Sequence, residues 1–214
     1  MKTLFLNATT NAESINKASN LLKDGAVGIF PTDTVYGIGC DALNISALKK
    51  LYEFKRRNMN KPICVLVSNT EMLSKFITNI NSIERKLIEY FWPGALTIIF
   101  DKTDIFPNIL TAGLPTVGIR MPNNKICLEL IDALSTPIAT SSANIANELP
   151  ANKIDDKLKE SFENKVNFII DDGIIDSIPS TIVRVENNEI IILRKGSILK
   201  EDIEKCFGGN INVR

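Results

Sequence analysis

An α/β fold built on a mixed sheet is what this chain predicts, and three features predict it. Stretches with apolar residues at helical spacing alternate with short apolar runs of strand type along nearly all of the 214 residues. The last two runs are separated only by Glu186-Asn187-Asn188-Glu189, a hairpin signature, so the sheet must contain an antiparallel pair. Hydrophobic residues make up 44% of the chain, ample for a real core at this length.

The helical stretches are 12–23, 46–56, 70–76, 82–91, 125–134 and 155–162, each with apolar positions three or four apart. The strand-like runs are 26–30, 63–67, 96–100, 117–119, 137–139, 168–170, 182–185 and 190–193. Pro31 closes the first run because a fixed φ and a missing N–H end a ladder, and Pro62 opens the second. The spacing leaves 31–39 as a loop in which Gly37 and Gly39 let a ligand approach the backbone. After the last run come a short amphipathic stretch, 199–207, and a polar tail. No repeat, low-complexity segment or flexible linker interrupts the chain, so one domain over 1–214 is expected.

Charge balances at 25 basic against 25 acidic residues, so no global field recruits nucleic acid or an anionic membrane. No apolar stretch has the length of a membrane span, and the apolar start breaks at Asn7, too early for a signal sequence. Cytoplasmic residence is the expectation. Cys40, Cys64, Cys127 and Cys206 are scattered and form no C-x-x-C pair, which fits buried free thiols rather than zinc or disulfides. The chain has no histidine, which excludes Ser-His-Asp hydrolysis, imidazole base catalysis and histidine metal ligation together. The chemistry must rest on carboxylates, cations, hydroxyls or bound metal.

Several segments carry residues suited to such chemistry. Lys55, Arg56, Arg57 and Lys61 gather where a helix ends. They are either solvated cations at a helix C-terminus or the wall of a polyphosphate pocket, in which an arginine fork grips two oxygens at once. Arg120 finishes a mostly apolar strand and needs an anion, from a structural carboxylate or from a ligand. The run Thr140-Ser141-Ser142-Ala143-Asn144 ends another strand, where its hydroxyls can cap a turn or supply donors to an anion or a ribose. Ser180 and Thr181 precede a strand and Arg194 follows the next, so the hairpin can bring them to one pocket. Asp33 and the pair Asp171-Asp172 are acids that can shape turns or hold Mg²⁺, which uses few protein carboxylates. Trp92-Pro93-Gly94 reads as a structural corner, and no P-loop pattern occurs.

Five separated motifs stand in a fixed order: PTDTVYGIG at 31–39, KRRNMNKP at 55–62, WPGALT at 92–97, TVGIRMP at 116–122 and SSAN at 141–144. PSTIV at 179–183 and LRKGSI at 193–198 follow them. Together they resemble the YrdC/Sua5 family of L-threonylcarbamoyl-adenylate synthases, short single-domain type, over about residues 21–198, with 199–214 as a short tail. The resemblance implies a twisted mixed sheet with flanking helices around a concave cationic cavity. It implies condensation of L-threonine, bicarbonate and ATP, with Mg²⁺, into L-threonylcarbamoyl-adenylate and diphosphate for t⁶A modification of tRNA. Threonylcarbamoyl-transfer proteins, and tRNA itself, would be the downstream partners.

By the same resemblance, Lys55 and Arg57 are catalytic, and ATP lies against Arg57, Lys61, Thr116, Ser142, Asn144 and Arg194. Threonine lies against Thr34, Arg120, Thr140 and Ser180. The chain departs from the family at Lys61, often asparagine, at Pro150, often serine, and at Leu66, where several members carry a histidine near the amino acid. Two other functions come into view: a non-catalytic RNA- or tRNA-binding module, and the related carbamoyl-transfer domain of hydrogenase maturation. Balanced charge speaks against the first and the absence of zinc-binding cysteine pairs against the second.

Overall fold

The computed structural model describes residues 2–7, 11–144, 149–175 and 178–214. Ten strands form one sheet: β1 (Leu4–Asn7), β2 (Gly28–Phe30), β3 (Gly37–Asp41), β4 (Cys64–Leu66), β5 (Leu96–Asp101), β6 (Thr116–Arg120), β7 (Ile138–Ser142), β8 (Phe168–Asp171), β9 (Thr181–Glu186) and β10 (Glu189–Arg194). Their order is β1-β8-β2-β3-β7-β4-β6-β5-β9-β10. The β1/β8, β8/β2, β4/β6 and β5/β9 pairs are parallel and the others antiparallel, so the sheet is mixed as expected.

The helices are α1 (Asn11–Lys23), α2 (Ile45–Phe54), α3 (Thr70–Ser74), α4 (Ser82–Phe91), α5 (Asn108–Thr111), α6 (Lys125–Leu134), α7 (Asp156–Phe162) and α8 (Lys200–Cys206). Asn44, Asn69, Asn81, Asn124 and Asp155 start five of them, each side chain accepting from an otherwise orphaned N–H of the first turn. Among the described residues, no helix is long and apolar enough to cross a membrane.

Strand periodicity divides the core in two. Ile29, Ile38, Val65, Ile98, Ile119, Ala139, Ile169 and Val183 point to one face, which α2, α3, α4, α7 and α8 cover through Leu48, Leu51, Leu73, Leu87, Phe162 and Ile203. Phe30, Leu66, Ile138, Phe168 and Ile170 point the other way and are covered mainly by α1 and α6, through Ile15, Ala18, Leu22, Leu130 and Ile131, with Met72 of α3 at the margin. These helices do not cover the whole second face. The uncovered part, over β7, β4, β6 and β5, is where the cavity lies.

Three elements escape the sequence pattern. β1 is only four residues long, and α5 is a single turn. β3 runs through Gly37-Ile38-Gly39, so the segment read as an open loop is a central strand from Gly37 onward. Its glycines answer to packing: a Cβ on Gly37 would lie 2.8 Å from Thr140 Oγ1, and one on Gly39 2.5 Å from the Ala139 carbonyl oxygen. The C-terminal stretch also packs, with Ile203 and Val213 buried and Asn212 accepting from the Ile190 N–H at 2.9 Å.

Candidate active site

The cavity measures about 510 Å³, and its floor exists because the open face of the sheet carries short side chains. Gly37, Cys64, Thr97, Gly118, Thr140 and Ser142 stand where large apolar residues would otherwise fill the space. Arg57, Lys61, Arg120 and Arg194 line it, and no carboxylate does among the described residues.

The β2–β3 connection shapes one wall through hydroxyls. Thr32 Oγ1 donates to the Val35 carbonyl at 2.7 Å and accepts from the N–H groups of Thr34 and Val35. With that proton committed, Thr34 Oγ1 is the donor in its 3.1 Å contact with Thr32 Oγ1, and it accepts from Arg120 Nη1 at 3.2 Å. Tyr36, next in the chain, is fully buried and fastens neighbouring loops. Its hydroxyl donates to the Gly173 carbonyl at 2.8 Å and accepts from the Asp172 N–H, while its own carbonyl accepts from Ala143 N–H. Burial pushes the phenol well above its ordinary range.

Helix α2 stops at Phe54 rather than at 56 because Arg56 takes φ 47°. The N–H of Arg56 returns to Glu53 O and that of Arg57 to Tyr52 O, a Schellman ending built without glycine. This turn separates neighbouring cations. Lys55 points inward and is 3% exposed; its Nζ donates to Ser142 O at 2.6 Å, to Asn144 Oδ1 at 2.9 Å and to Asn144 O. Arg57 reaches the cavity, with Nη2 donating to the Pro62 carbonyl at 2.8 Å. Tyr52 braces the same turn, its hydroxyl within reach of Lys61 O and Ile109 O.

On the opposite wall Arg194 grips Ser180 with two nitrogens: Nε at 3.1 Å and Nη2 at 2.7 Å from Ser180 O, with Nη2 also 2.9 Å from Ser180 Oγ. Ser180 Oγ and Thr97 Oγ1 share a hydrogen bond of 2.9 Å. Burial lowers the Arg194 pKa from its ordinary value. Cys64 sits on the floor, its thiol pushed up by burial and pulled the other way by the guanidiniums of Arg194, Arg57 and Arg120. It is the partly exposed member of the four free cysteines, not a buried one.

Gly196 makes the Ser180–Arg194 wall possible, since a Cβ there would stand 2.3 Å from Pro179 O and 2.5 Å from Thr181 N. Gly196→Ala should therefore cost about 1–3 kcal/mol, the usual range for forced overpacking. Thermal denaturation reads this directly, and a melting point equal to the parent's would mean the crossing absorbs a methyl group.

Of the residues singled out in the sequence, Thr34, Arg57, Lys61, Arg120, Thr140, Ser142, Ser180 and Arg194 line the cavity. Lys55, Thr116 and Asn144 do not. Lys55 is buried beneath the rim. Thr116 shares the face of Arg120 but lies four residues back, opposite Asp101 at the end of the ladder. Asn144 lines an adjoining cavity of about 460 Å³ that shares Val35, Pro150 and Pro179 with the first. Leu66 lines the main cavity beside Arg120, its partner in the β4/β6 register. Thr32 and Thr97 also line the cavity; both fall inside motifs, PTDTVYGIG and WPGALT, in which the sequence assigns them no individual role, although a threonine in the apolar run 96–100 is a readable signal.

The acids do not form a metal site. Asp33 lies behind the wall as the ionic partner of Arg120, Nη1 to Oδ1 3.2 Å, and Asp171 accepts from the Gly173 N–H. Among the described residues no group of three metal-ligating side chains occurs. The donor set does not fit a protein-held Mg²⁺.

A half-covered mixed sheet whose open part carries cations, hydroxyls and, among the described residues, no acid defines an α/β protein with a cavity suited to anions. The chain belongs to the Sua5/YciO/YrdC family, whose model, described as telomere recombination, matches residues 20–196. It is 34% identical to the threonylcarbamoyl-AMP synthase of Pyrococcus abyssi over 96% of its own length and 61% of that protein. To a putative threonylcarbamoyl-AMP synthase of Methanocaldococcus jannaschii it is 36% identical, over 92% of this chain and 94% of that one. The crystal structure of P. abyssi Sua5 complexed with L-threonine superposes with a TM-score of 0.92 at 32% identity, covering all of this chain and 63% of that one. The chain thus spans about three fifths of the length of the Pyrococcus relative.

Proposed function

We propose that this chain condenses L-threonine, bicarbonate and ATP into L-threonylcarbamoyl-adenylate and diphosphate. One observation carries the reading: the cavity offers two kinds of anion subsite side by side. Arg120 is 5% exposed and, among the described residues, uses only Nη1 on the protein, which leaves Nε and Nη2 to grip a carboxylate at two points. Arg57, Lys61 and Arg194 have no carboxylate partner among the described residues and suit a polyphosphate.

In this reading threonine's carboxylate sits on Arg120, with the hydroxyls of Thr34, Thr140 and Ser180 around it. The triphosphate lies toward Arg57, Lys61 and Arg194, with Ser142 at the nucleotide. Threonine's amine and bicarbonate give the carbamate and water. A carbamate oxygen then attacks the α-phosphorus and diphosphate leaves. The side chains hold both anions and neutralise charge that builds on the phosphates; no histidine is needed. Mg²⁺ would be carried by the ATP phosphates, because no carboxylate lines the cavity among the described residues. The product then serves threonylcarbamoyl-transfer proteins that modify tRNA, in the cytoplasm where ATP and tRNA are found.

Diphosphate release measured with each component omitted in turn tests the reading. Release should require ATP, L-threonine and bicarbonate together, and serine should substitute poorly. Equal release without threonine would overturn it, and RNA binding without any turnover would favour the non-catalytic module.

A further inference from the structure

We infer that Asp33 is a positioning residue that makes Arg120 a reader of singly charged carboxylates and keeps phosphoryl groups off it. The identity of the ligands rests on the functional reading above; the selectivity rests on geometry. Asp33 Oδ1 lies 3.2 Å from Arg120 Nη1, and the two side chains are 13% and 6% exposed. Among the described residues that oxygen accepts no hydrogen bond, so the attraction between the pair is one of charge. Thr34 Oγ1 takes the same nitrogen at 3.2 Å. One corner of the guanidinium is thereby fixed, and the remaining nitrogens are left for a ligand.

Arg120 alone among the cavity's four cations has an ionic partner within the described residues. The pair carries no net charge. A carboxylate binding beside it brings the cluster to one negative charge, whereas a phosphoryl dianion brings it to two, against the largely covered Asp33 carboxylate. Like charges held close at low dielectric repel strongly. Arg57, Lys61 and Arg194 face no such neighbour. The cavity therefore sorts its two anions by charge, and threonine cannot be displaced by the phosphates of its own co-substrate.

Calorimetric titration with L-threonine and with its phosphonate counterpart, in which a phosphonate replaces the carboxylate, tests this. The parent chain should prefer threonine, and Asp33→Asn should erode that preference by about 10-fold or more, the scale at which one removed like-charge contact is felt. Asp33→Glu, which keeps the charge, should keep the preference. In steady-state assays Asp33→Asn should raise the KM for threonine while kcat at saturation falls less. An unchanged preference in Asp33→Asn, or an equal loss in Asp33→Glu, would overturn the inference; Asp33→Ser replaces the asparagine variant should that one not fold. If the parent binds no threonine the functional reading fails separately. The inference then stands or falls on whether Asp33→Asn gains affinity for inorganic phosphate relative to acetate.

Discussion

Lys55→Met is expected to lower thermal stability and turnover together, whereas Arg57→Ala is expected to lower turnover alone. Lys55 is buried, and its ammonium serves three acceptors in the Ser142–Asn144 segment. Methionine fills much the same volume but strands those oxygens. At about 1 kcal/mol or more each, the cost is about 3 kcal/mol, or about 6–12 °C for a chain of this length. The segment also carries Ser142, and a 1 Å displacement of such a group can cost about 10²-fold in rate. Arg57 is partly exposed and holds only nearby carbonyls, so its loss should change stability by less than about 0.5 kcal/mol while turnover falls by about 10². Melting curves and diphosphate release on both variants check this. Lys55→Met melting like the parent would show that the segment holds itself. The sequence treats both cations as surface groups; burial corrects that for Lys55.

Arg120→Lys should weaken threonine binding by about 10- to 10²-fold and ATP binding little, because lysine keeps the charge but loses the two-point grip on a carboxylate. Arg194→Lys should show the opposite bias. Arg194 already commits Nε and Nη2 to Ser180, so lysine would both change the phosphate subsite and release the Pro179–Thr181 wall. Isothermal titration of each variant with each substrate separates the effects. Arg120→Lys binding threonine like the parent while losing ATP would show that the division of the cavity is drawn the wrong way round.

Much of this site was readable because each motif ends a strand and the strands are short. Period-two alternation places Thr97, Gly118, Arg120, Thr140 and Ser142 on a common face once the pairing is known. What the residues could not state was depth. Lys55 and Arg57 look alike in a cationic run, and only contact with carbonyls 87 and 89 residues away distinguishes them. Thr116 looked equivalent to other hydroxyls because its face is right, yet it stands at the end of the ladder, clear of the cavity. β3 was hidden because two glycines in five residues resemble a loop, and the neighbours that demand them, Phe30 and Thr140, lie in other strands. The ionic partner of Arg120 was foreseen as a choice between a carboxylate and a ligand. Asp33 supplies the first, and the nitrogens it leaves free keep the second open.

The cavity floor is supplied chiefly by β3, β7, β4, β6 and β5, which occupy the middle of the ten-stranded order. Interior strands are bonded on both edges and open only when the whole molecule unfolds, while edge loops open at far smaller free energies. The binding geometry is thus as durable as the protein itself. Motion needed to admit substrates or release diphosphate must come from the connections around the rim, such as those tied by Tyr36, which can loosen and re-form without disturbing the residues beneath them.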